Sequence, residues 1–216
     1  MANRVAIVVG ATGLVGRHLV KQLLQDDDFT QVKTFSRSPL NINDSEKLSQ
    51  HIVDFEDIAA WRHKLNGDTL FCCLGTTIKQ AKHKEAQRQV DVLYPKRVAE
   101  AAHANGVGQA ILVSSFGASH NSGSFYLRLK SEVEQAYLAL GFDSLIIIRP
   151  SVLIGKRASF RFGEWLAGML LNALSWLPFF TRYRPISGSQ VATAMLKAAK
   201  RTRSGVNILE LEKLQD

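Results

Sequence analysis

The stretch Val5-Ala-Ile-Val-Val-Gly10-Ala-Thr-Gly13-Leu-Val-Gly16 joins a short apolar run to three glycines and to the start of a periodic apolar segment. The apolar run predicts a buried strand, and the periodicity of residues 14–24 predicts a helix. A glycine turn between them lets the backbone approach a pyrophosphate, and the helix N-terminus favours an anion. The G-x-x-G-x-x-G spacing differs from the dehydrogenase G-x-G-x-x-G, so a tight turn that binds nothing is the alternative. The pattern favours nucleotide binding by Gly10, Thr12, Gly13, Leu14, Val15, Gly16 and Arg17.

Predicted strands and helices alternate along the rest of the chain. Leu70-Phe-Cys-Cys-Leu74 and Leu145-Ile-Ile-Ile148 are apolar throughout, as strands covered on both faces must be. We therefore predict an α/β fold with a doubly wound, mostly parallel Rossmann-type sheet and helices on both faces. The predicted strands are Val5–Val9, Val32–Ser36, His51–Val53, Thr69–Leu74, Gln109–Ser114, Ser144–Arg149 and Val206–Leu211, and the predicted helices are Gly13–Leu24, Asp57–His63, Lys82–Asn105, Phe125–Leu140, Phe160–Leu174 and Ser189–Lys200.

Length and charge narrow the class of protein. A chain of 216 residues suits one sizeable core, so we expect a single domain over residues 1–216 with a small substrate or lid segment at 151–187. The net charge of +8 is spread along the chain, and no basic face interleaved with aromatic residues indicates a nucleic-acid binder. Attraction of anionic nucleotides is the more economical interpretation of this charge. The densest basic cluster is Lys197, Lys200, Arg201 and Arg203.

The sequence gives no sign of a metal site or of a disulfide. Cys72 and Cys73 are adjacent inside an apolar run, where thiols behave as small hydrophobic groups. No Cys or His spacing suits a metal, and Val5–Val9 is too short for a secretion signal. These features indicate a reducing compartment, and we expect a cytoplasmic location. On the helix predicted at 82–105, a charged outer face is expected to carry His83, Glu85, Asp91 and His103.

Tyr126 and Lys130 form a candidate catalytic pair. Residues four apart share one face of a helix, and a nearby ammonium favours the phenolate form of a tyrosine. A chance surface pair is the alternative. The pair follows Val113-Ser114-Ser115 at the carboxyl end of a predicted central strand, where open α/β sheets bind ligands.

Together these motifs resemble the short-chain dehydrogenase/reductase superfamily, and within it a small atypical group related to the Tat-interacting protein. The resemblance covers nearly the whole chain. The matching segments are Gly10–Gly16, Phe71-Cys-Cys-Leu-Gly-Thr-Thr77, Val113-Ser-Ser-Phe-Gly-Ala118, Tyr126-Leu-Arg-Leu-Lys-Ser-Glu-Val-Glu134, Arg149-Pro-Ser-Val-Leu-Ile-Gly155 and Gly163-Glu-Trp165.

The resemblance implies a role for each matching position. Ser115, or Ser114 one register away, would hold the substrate oxygen. Tyr126 would exchange the proton, while Lys130 would lower the tyrosine pKa and bind the nicotinamide ribose. The remaining expected cofactor contacts are Asp54 and Phe55 at the adenine, Leu74, Gly75 and Thr76 beneath the pyrophosphate and ribose, Ser114 beside the reacting groups, and Pro150, Ser151 and Val152 beside the nicotinamide amide.

The end of the second predicted strand bears on the choice of cofactor. NAD sites usually place a carboxylate there for the ribose 2′-hydroxyl, but this chain has Ser36 and Arg37 and no acid. Arg37 could instead face a 2′-phosphate, helped by Ser36 and Arg17. We therefore expect NADP(H), with NAD(H) as the less favoured cofactor and exposed, solvated arginines as the alternative.

The apolar segment 165–180 is short for a bilayer span and is interrupted by Asn172, Ser175 and Pro178. A lid helix, a homodimer contact or a protein partner fits it better than a membrane anchor. An acidic substrate, or only solvent, could face the basic residues around it, which are Lys156, Arg157, Arg161, Arg182 and Arg184. The resemblance implies two-fold dimers through the helices predicted here at Lys82–Asn105 and Phe125–Leu140, with a monomer as the alternative.

Two functions fit these observations. The first is an NADP(H)-dependent oxidoreductase of epimerase-like type that transfers hydride to or from a carbonyl or alcohol carbon of a small molecule. The second is a regulatory or scaffold protein that binds NADP(H) without turnover.

Overall fold

The computed structural model describes residues 3–43, 45–151, 153–154, 186–201 and 204–210. Nine strands and six α-helices are assigned in these ranges. The strands are β1 (Arg4–Val9), β2 (Phe29–Ser36), β3 (Leu48–Ile52), β4 (Thr69–Cys72), β5 (Gln109–Val113), β6 (Ser144–Arg149), β7 (Leu153–Ile154), β8 (Ile186–Ser187) and β9 (Gly205–Glu210). The helices are α1 (Gly16–Gln25), α2 (Ile78–Ala81), α3 (Lys84–Arg88), α4 (Tyr94–Ala104), α5 (Phe125–Leu138) and α6 (Gly188–Lys200).

Seven strands form one sheet in the order β3-β2-β1-β4-β5-β6-β9, and each neighbouring pair is parallel. Strands β2 and β3 are added on one side of β1. The chain then crosses over the sheet, and β4 pairs with the other side of β1. This reversal of strand order opens a crevice between the carboxyl ends of β1 and β4, where ligands bind in open α/β sheets. The predicted doubly wound parallel sheet is confirmed.

Two apolar cores cover the two faces of the sheet. On one face, Leu19 of α1 and Met195 of α6 pack with Val8 and Ile148. On the other, Val98 of α4 and Val133 of α5 pack with the opposite face of the same strands. The isoleucines of β6 are buried on both sides, which agrees with their unbroken apolar pattern.

Helix α6 lies along α1 and contacts it near both ends. A Cβ atom at Gly188 would lie 2.7 Å from the carbonyl oxygen of Leu14, so the start of α6 touches the glycine turn. At the other end, Lys200 Nζ lies 2.9 Å from Asp26 Oδ2 and 2.8 Å from Asp28 Oδ2. Part of the basic cluster predicted around Lys200 is therefore paired with carboxylates.

Two predicted helices differ from the structure. The helix expected at Asp57–His63 is a pair of 3₁₀ turns, Ile58–Ala60 and Arg62–Lys64. The helix expected at Lys82–Asn105 is divided into α3, a π-helical turn at Gln89–Leu93, and α4. Pro95 near the start of α4 has no N–H for the carbonyl of Asp91, and this loss widens the turn before it. The helix expected at Phe160–Leu174 lies outside the described residues.

Candidate active site

The glycine turn closes tightly over the end of β1. Gly10 has a φ of +77°, and a Cβ atom there would lie 2.5 Å from the carbonyl carbon of Cys73, at the end of the neighbouring strand. At Gly16 a Cβ atom would collide with the carbonyl oxygen of Gly10. A side chain at either position would be strained against neighbouring backbone, so the turn packs backbone against backbone. Helix α1 begins at Gly16, directly after the turn, which places its positive end there.

Ser115, Tyr126 and Lys130 lie together at the carboxyl end of β5. The ammonium of Lys130 lies 5.6 Å from the centre of the Tyr126 ring, and the Tyr126 and Ser115 side chains are hydrogen-bonded. Tyr126 and Ser115 are half-buried, whereas Lys130 is almost fully buried. The three residues that the sequence singled out are therefore neighbours in space.

The structure distinguishes the two neighbouring serines. Ser114 is buried, and its hydroxyl donates a hydrogen bond to the Glu134 carboxylate. Glu134 is also bound by Arg149, the last residue of β6, with Nε 2.9 Å from Oε1 and Nη2 2.6 Å from Oε2. Of the two candidates, Ser115 is thus the residue whose hydroxyl lies beside Tyr126.

Asp91 is a residue of this site that sequence analysis misplaced. We expected it on the outer face of a helix, but it is fully buried in the π-helical turn. Its Oδ1 lies 3.3 Å from Lys130 Nζ, and its Oδ2 accepts a hydrogen bond of 3.1 Å from the Thr76 backbone N–H. The other three residues assigned to that face are exposed as expected: His83, Glu85 and His103.

A sequence signal for Asp91 existed. Counting back from Ala102 and Val98 in steps of three and four reaches Pro95 and Asp91, and all four residues are buried. A carboxylate on the apolar stripe of a helix needs a buried partner, and Lys130 provides it.

Burial and charge act in opposite directions on the Tyr126 phenol. Burial and the Asp91 carboxylate raise its pKa, while Lys130 and the hydrogen bond from Ser115 lower it, and the net pKa lies above the ordinary value. Lys130 thus has the lowering effect that we predicted, but the other groups outweigh it. Burial lowers the pKa of Lys130, but the opposing effects of Tyr126 and Asp91 are larger. The net pKa is raised above the ordinary lysine value, so the ammonium stays charged.

The loop after β4 runs over the Asp91–Lys130 pair. A Cβ atom at Gly75 would lie 3.4 Å from Asp91 Oδ1 and 3.5 Å from Lys130 Nζ. Leu74, Gly75 and Thr76 therefore connect the glycine turn with the buried charges. The loops after β5 and β6 are also joined, because Phe116 N–H donates to the Pro150 carbonyl oxygen at 2.9 Å. Ser151 is half-buried next to this bond.

The ends of β2 and β3 hold the residues expected at the adenosine. Ser36 is buried, and its hydroxyl donates to the Ser38 carbonyl oxygen at 2.7 Å, whereas Arg37 is exposed. Asp54 is also exposed. The Phe55 ring is buried against Trp61, with ring centres 5.4 Å apart, so it belongs to the core.

Several predicted positions fall outside the described residues. They are Val152, the apolar segment 165–180, and Lys156, Arg157, Arg161, Arg182 and Arg184. Within the described ranges, no helix is both long enough and apolar enough to cross a membrane.

Comparison with protein families agrees with this geometry. The family described as NAD(P)H-binding matches residues 10–154, which include the glycine turn and the Ser115, Tyr126 and Lys130 site. HTATIP2 of Rattus norvegicus is 37% identical over 181 residues, covering 82% of this chain and 74% of that protein. The chain belongs to the HTATIP2-like group of atypical short-chain dehydrogenases/reductases. The mitochondrial protein FMP52 of Candida glabrata is 38% identical over 207 residues, covering 92% of this chain and 86% of that protein.

Solved structures share the fold of this HTATIP2-like chain. MoeE5 in complex with UDP-glucose and NAD aligns with a TM-score of 0.70 at 18% identity, over 97% of this chain and 79% of that one. WbmH of Bordetella bronchiseptica in complex with NAD⁺ aligns with a TM-score of 0.72 at 15% identity, over 96% and 75%. The HTATIP2-like chain thus has the fold of nicotinamide-binding, epimerase-like proteins.

The relatives correct one expectation about the HTATIP2-like chain. We predicted a cytoplasmic location from the cysteines and from the N-terminal sequence. That prediction is wrong on this comparison, because the FMP52 relatives from several fungi are named as mitochondrial proteins. Two buried or half-buried thiols indicate reducing conditions and do not distinguish one reducing compartment from another.

Proposed function

We propose that this protein is an NADP(H)-dependent oxidoreductase that transfers hydride to or from a carbonyl or alcohol carbon of a small molecule. The observation that carries the proposal is the meeting of Ser115, Tyr126 and Lys130 at the carboxyl edge of the sheet, where the loop 74–76 connects them with the glycine turn. An acid–base group, a hydroxyl that can orient an oxygen, and a buried cation are what such a reaction requires.

The residues present fit a nicotinamide dinucleotide. The turn holds Gly10 and Gly16 where a Cβ atom would collide with backbone, and it leads into the positive end of α1, which suits a pyrophosphate. The segment 74–76 would lie beneath the cofactor, Lys130 would face its nicotinamide ribose, and Asp54 would lie at the adenine. Ser36 and Arg37 would face the 2′-phosphate, which is the basis for NADP(H) over NAD(H). When bound, the nicotinamide supplies or accepts the hydride.

Each side chain then has a defined task. In the reductive direction the Tyr126 phenol gives its proton to the substrate oxygen and becomes a phenolate. The Lys130 ammonium stabilises that phenolate, and solvent restores the proton. The Ser115 hydroxyl holds the oxygen in place. In the oxidative direction the proton returns from the alcohol to the Tyr126 phenolate.

The test is a screen of carbonyl compounds with NADPH, followed by absorbance, in the wild type and in Tyr126→Phe. We expect Tyr126→Phe to lose at least about 100-fold in turnover while NADPH affinity changes little, because general acid catalysis contributes about that much. Tyr94→Phe is the matched control, since the Tyr94 hydroxyl binds Glu56 and lies outside the proposed machinery. Turnover that survives Tyr126→Phe would refute the role, and NADPH binding without turnover on any substrate would favour a regulatory or scaffold protein.

A further inference from the structure

Two cations meet on the ring of Phe125, the residue directly before Tyr126. Lys84 Nζ lies 5.5 Å from the centre of this ring, and the guanidinium carbon of Arg128 lies 5.9 Å from it. The ring is half-buried and packs against the core formed with α4 and α5. Because a cation is attracted to an aromatic ring, both charges are held at the start of α5, where Tyr126 lies.

The two cations come from the two loops that build the candidate site. Arg128 holds the end of the loop after β5, because its Nη1 donates hydrogen bonds to the carbonyl oxygens of Ser122 at 2.7 Å and Gly123 at 3.0 Å. Lys84 is the first residue of α3, shortly after the loop 74–76 that follows β4. The cation pair therefore borders the site on the side of α3.

Within the described ranges, no carboxylate forms an ion pair with Lys84 or Arg128. The acids of the two segments around them, 74–94 and 115–134, each lie beside another cation: Glu85 beside His83, Asp91 beside Lys130, Glu132 beside Arg88, and Glu134 beside Arg149. The positive charge on the Phe125 ring is thus left without an acidic side chain to balance it, next to the residues proposed to react.

The turn that leads into α3 is strained. Lys82 ends α2 with a φ of +73°, and it is the one non-glycine residue with positive φ in the part of the chain that the structure describes. His83 then caps α3 by accepting the Ala86 N–H, and Lys84 follows on the Phe125 ring. Glycine would make this turn with less strain, so a lysine there adds positive charge at a cost in backbone energy.

We propose that Lys84 and Arg128 bind an anionic group of the substrate, a carboxylate or a phosphate, while its carbonyl lies at Ser115 and Tyr126. The guanidinium still has Nε and Nη2 available as donors to two oxygens, since only Nη1 is used by the loop. The inference rests on the proposed function for the claim that the anion belongs to a substrate. The substrate class is then an anionic carbonyl compound or alcohol.

The direct experiment needs no turnover. The side-chain Nε–H resonance of Arg128 is followed by NMR, with and without NADP⁺, and is assigned by its loss in Arg128→Lys. Butyl phosphate, butyrate and butanol are titrated. We expect a saturable shift with an anion and none with butanol, and the anion that binds more tightly identifies the group as phosphate or carboxylate. No saturable shift with either anion would overturn the proposal. So would a shift that NADP⁺ abolishes, because the anion would then occupy the cofactor site.

Lys84→Gln tests the second cation, and Lys96→Gln is the matched control. Both lysines are exposed, but Lys96 lies on α4 beside Glu100 and away from the Phe125 ring. We expect Lys84→Gln to weaken binding of the anion about fivefold, the size of one partly exposed charge pair, and Lys96→Gln to leave it unchanged. Equal weakening in the two variants would indicate attraction by net charge alone and would overturn the proposal.

Turnover separates this proposal from the proposed function. Straight-chain oxo acids of increasing length are compared with their methyl esters in the presence of NADPH. We expect Lys84→Gln to raise the KM of the acids about fivefold at unchanged kcat and to leave the KM of the esters unchanged, because the contact is remote from the reacting carbon. Equal changes for acids and esters would refute the anion site and leave the oxidoreductase function standing. Anion binding at Arg128 without turnover of any compound would have the reverse meaning.

Discussion

Glu134 and Arg149 form a two-point ion pair between α5 and the end of β6. Glu134 lies one helical turn after Lys130 on α5, and Arg149 ends β6. Glu134 also accepts a hydrogen bond from the Ser114 hydroxyl, and the third Arg149 nitrogen, Nη1, lies 3.1 Å from Oε1 of Glu210 in β9. One carboxylate thereby joins the ends of β5 and β6 to the helix that carries Tyr126.

This pair leads to a stability prediction. Glu134→Ala leaves Arg149 without its main partner and Ser114 without an acceptor, so we expect the free energy of unfolding to fall by about 3 kcal/mol. Urea unfolding measures the change. Glu132→Ala is the control on the same helix, because Glu132 forms an exposed ion pair with Arg88 and should cost less than about 1 kcal/mol. Equal decreases in the free energy of unfolding in the two variants would contradict the prediction that the buried ion pair contributes more to stability than the exposed one.

The glycine turn allows a test of close approach. Gly10 and Gly106 both have positive φ, +77° and +85°, so alanine at either position is strained by about 1–2 kcal/mol. Of the two, only an alanine Cβ at Gly10 would also collide with neighbouring backbone. At Gly106 no atom lies within 4 Å of the added Cβ. We expect Gly10→Ala to lose a further 1–3 kcal/mol or so in urea unfolding and most of its NADPH affinity. Full NADPH affinity in folded Gly10→Ala would argue against the turn as the pyrophosphate site.

Arg37 carries the proposed preference for NADP(H). A charge-assisted contact to a 2′-phosphate contributes to the binding free energy. We therefore expect Arg37→Ala to weaken NADPH binding roughly 10-fold or more. NADH binding should not change, because NADH lacks that phosphate. Fluorescence titration with both nucleotides measures the ratio, with exposed Arg62→Ala as the control. Equal weakening for both nucleotides would mean that Arg37 acts through general electrostatic attraction.

The sequence was sufficient to predict the sheet and to select three residues, Ser115, Tyr126 and Lys130, that lie together in the candidate site. The run Leu145-Ile-Ile-Ile148 is apolar because β6 is covered on both faces, and the spacing of Tyr126 and Lys130 keeps them on one face of α5. These features depend on local pattern alone. The two 3₁₀ turns after β3 were missed because three-residue turns carry little periodicity.

The one error at the site, the exposure expected of Asp91, and the alternative left open between Ser114 and Ser115 both depended on long-range contacts. Asp91 resembles the exposed acids around it until Lys130, 39 positions later, is placed against it by the fold. The choice between Ser114 and Ser115 depended on Glu134, which lies 20 positions after Ser114. The spacing of apolar residues along one helix could have predicted that Asp91 is buried. It could not have predicted that Lys130 is its partner.

The contact of Gly188 with Leu14 bears on the smallest fragment able to bind a nucleotide. The family match ends at residue 154, yet the wall behind the glycine turn is built by α6, which is fixed at its far end by Lys200. A truncated protein that stopped near residue 154 would expose Leu19 and Val8 and would leave the turn unsupported on that side. The autonomous folding unit is thus larger than the segment that the family match covers, and α6 supports a glycine turn that lies about 170 residues earlier in the chain.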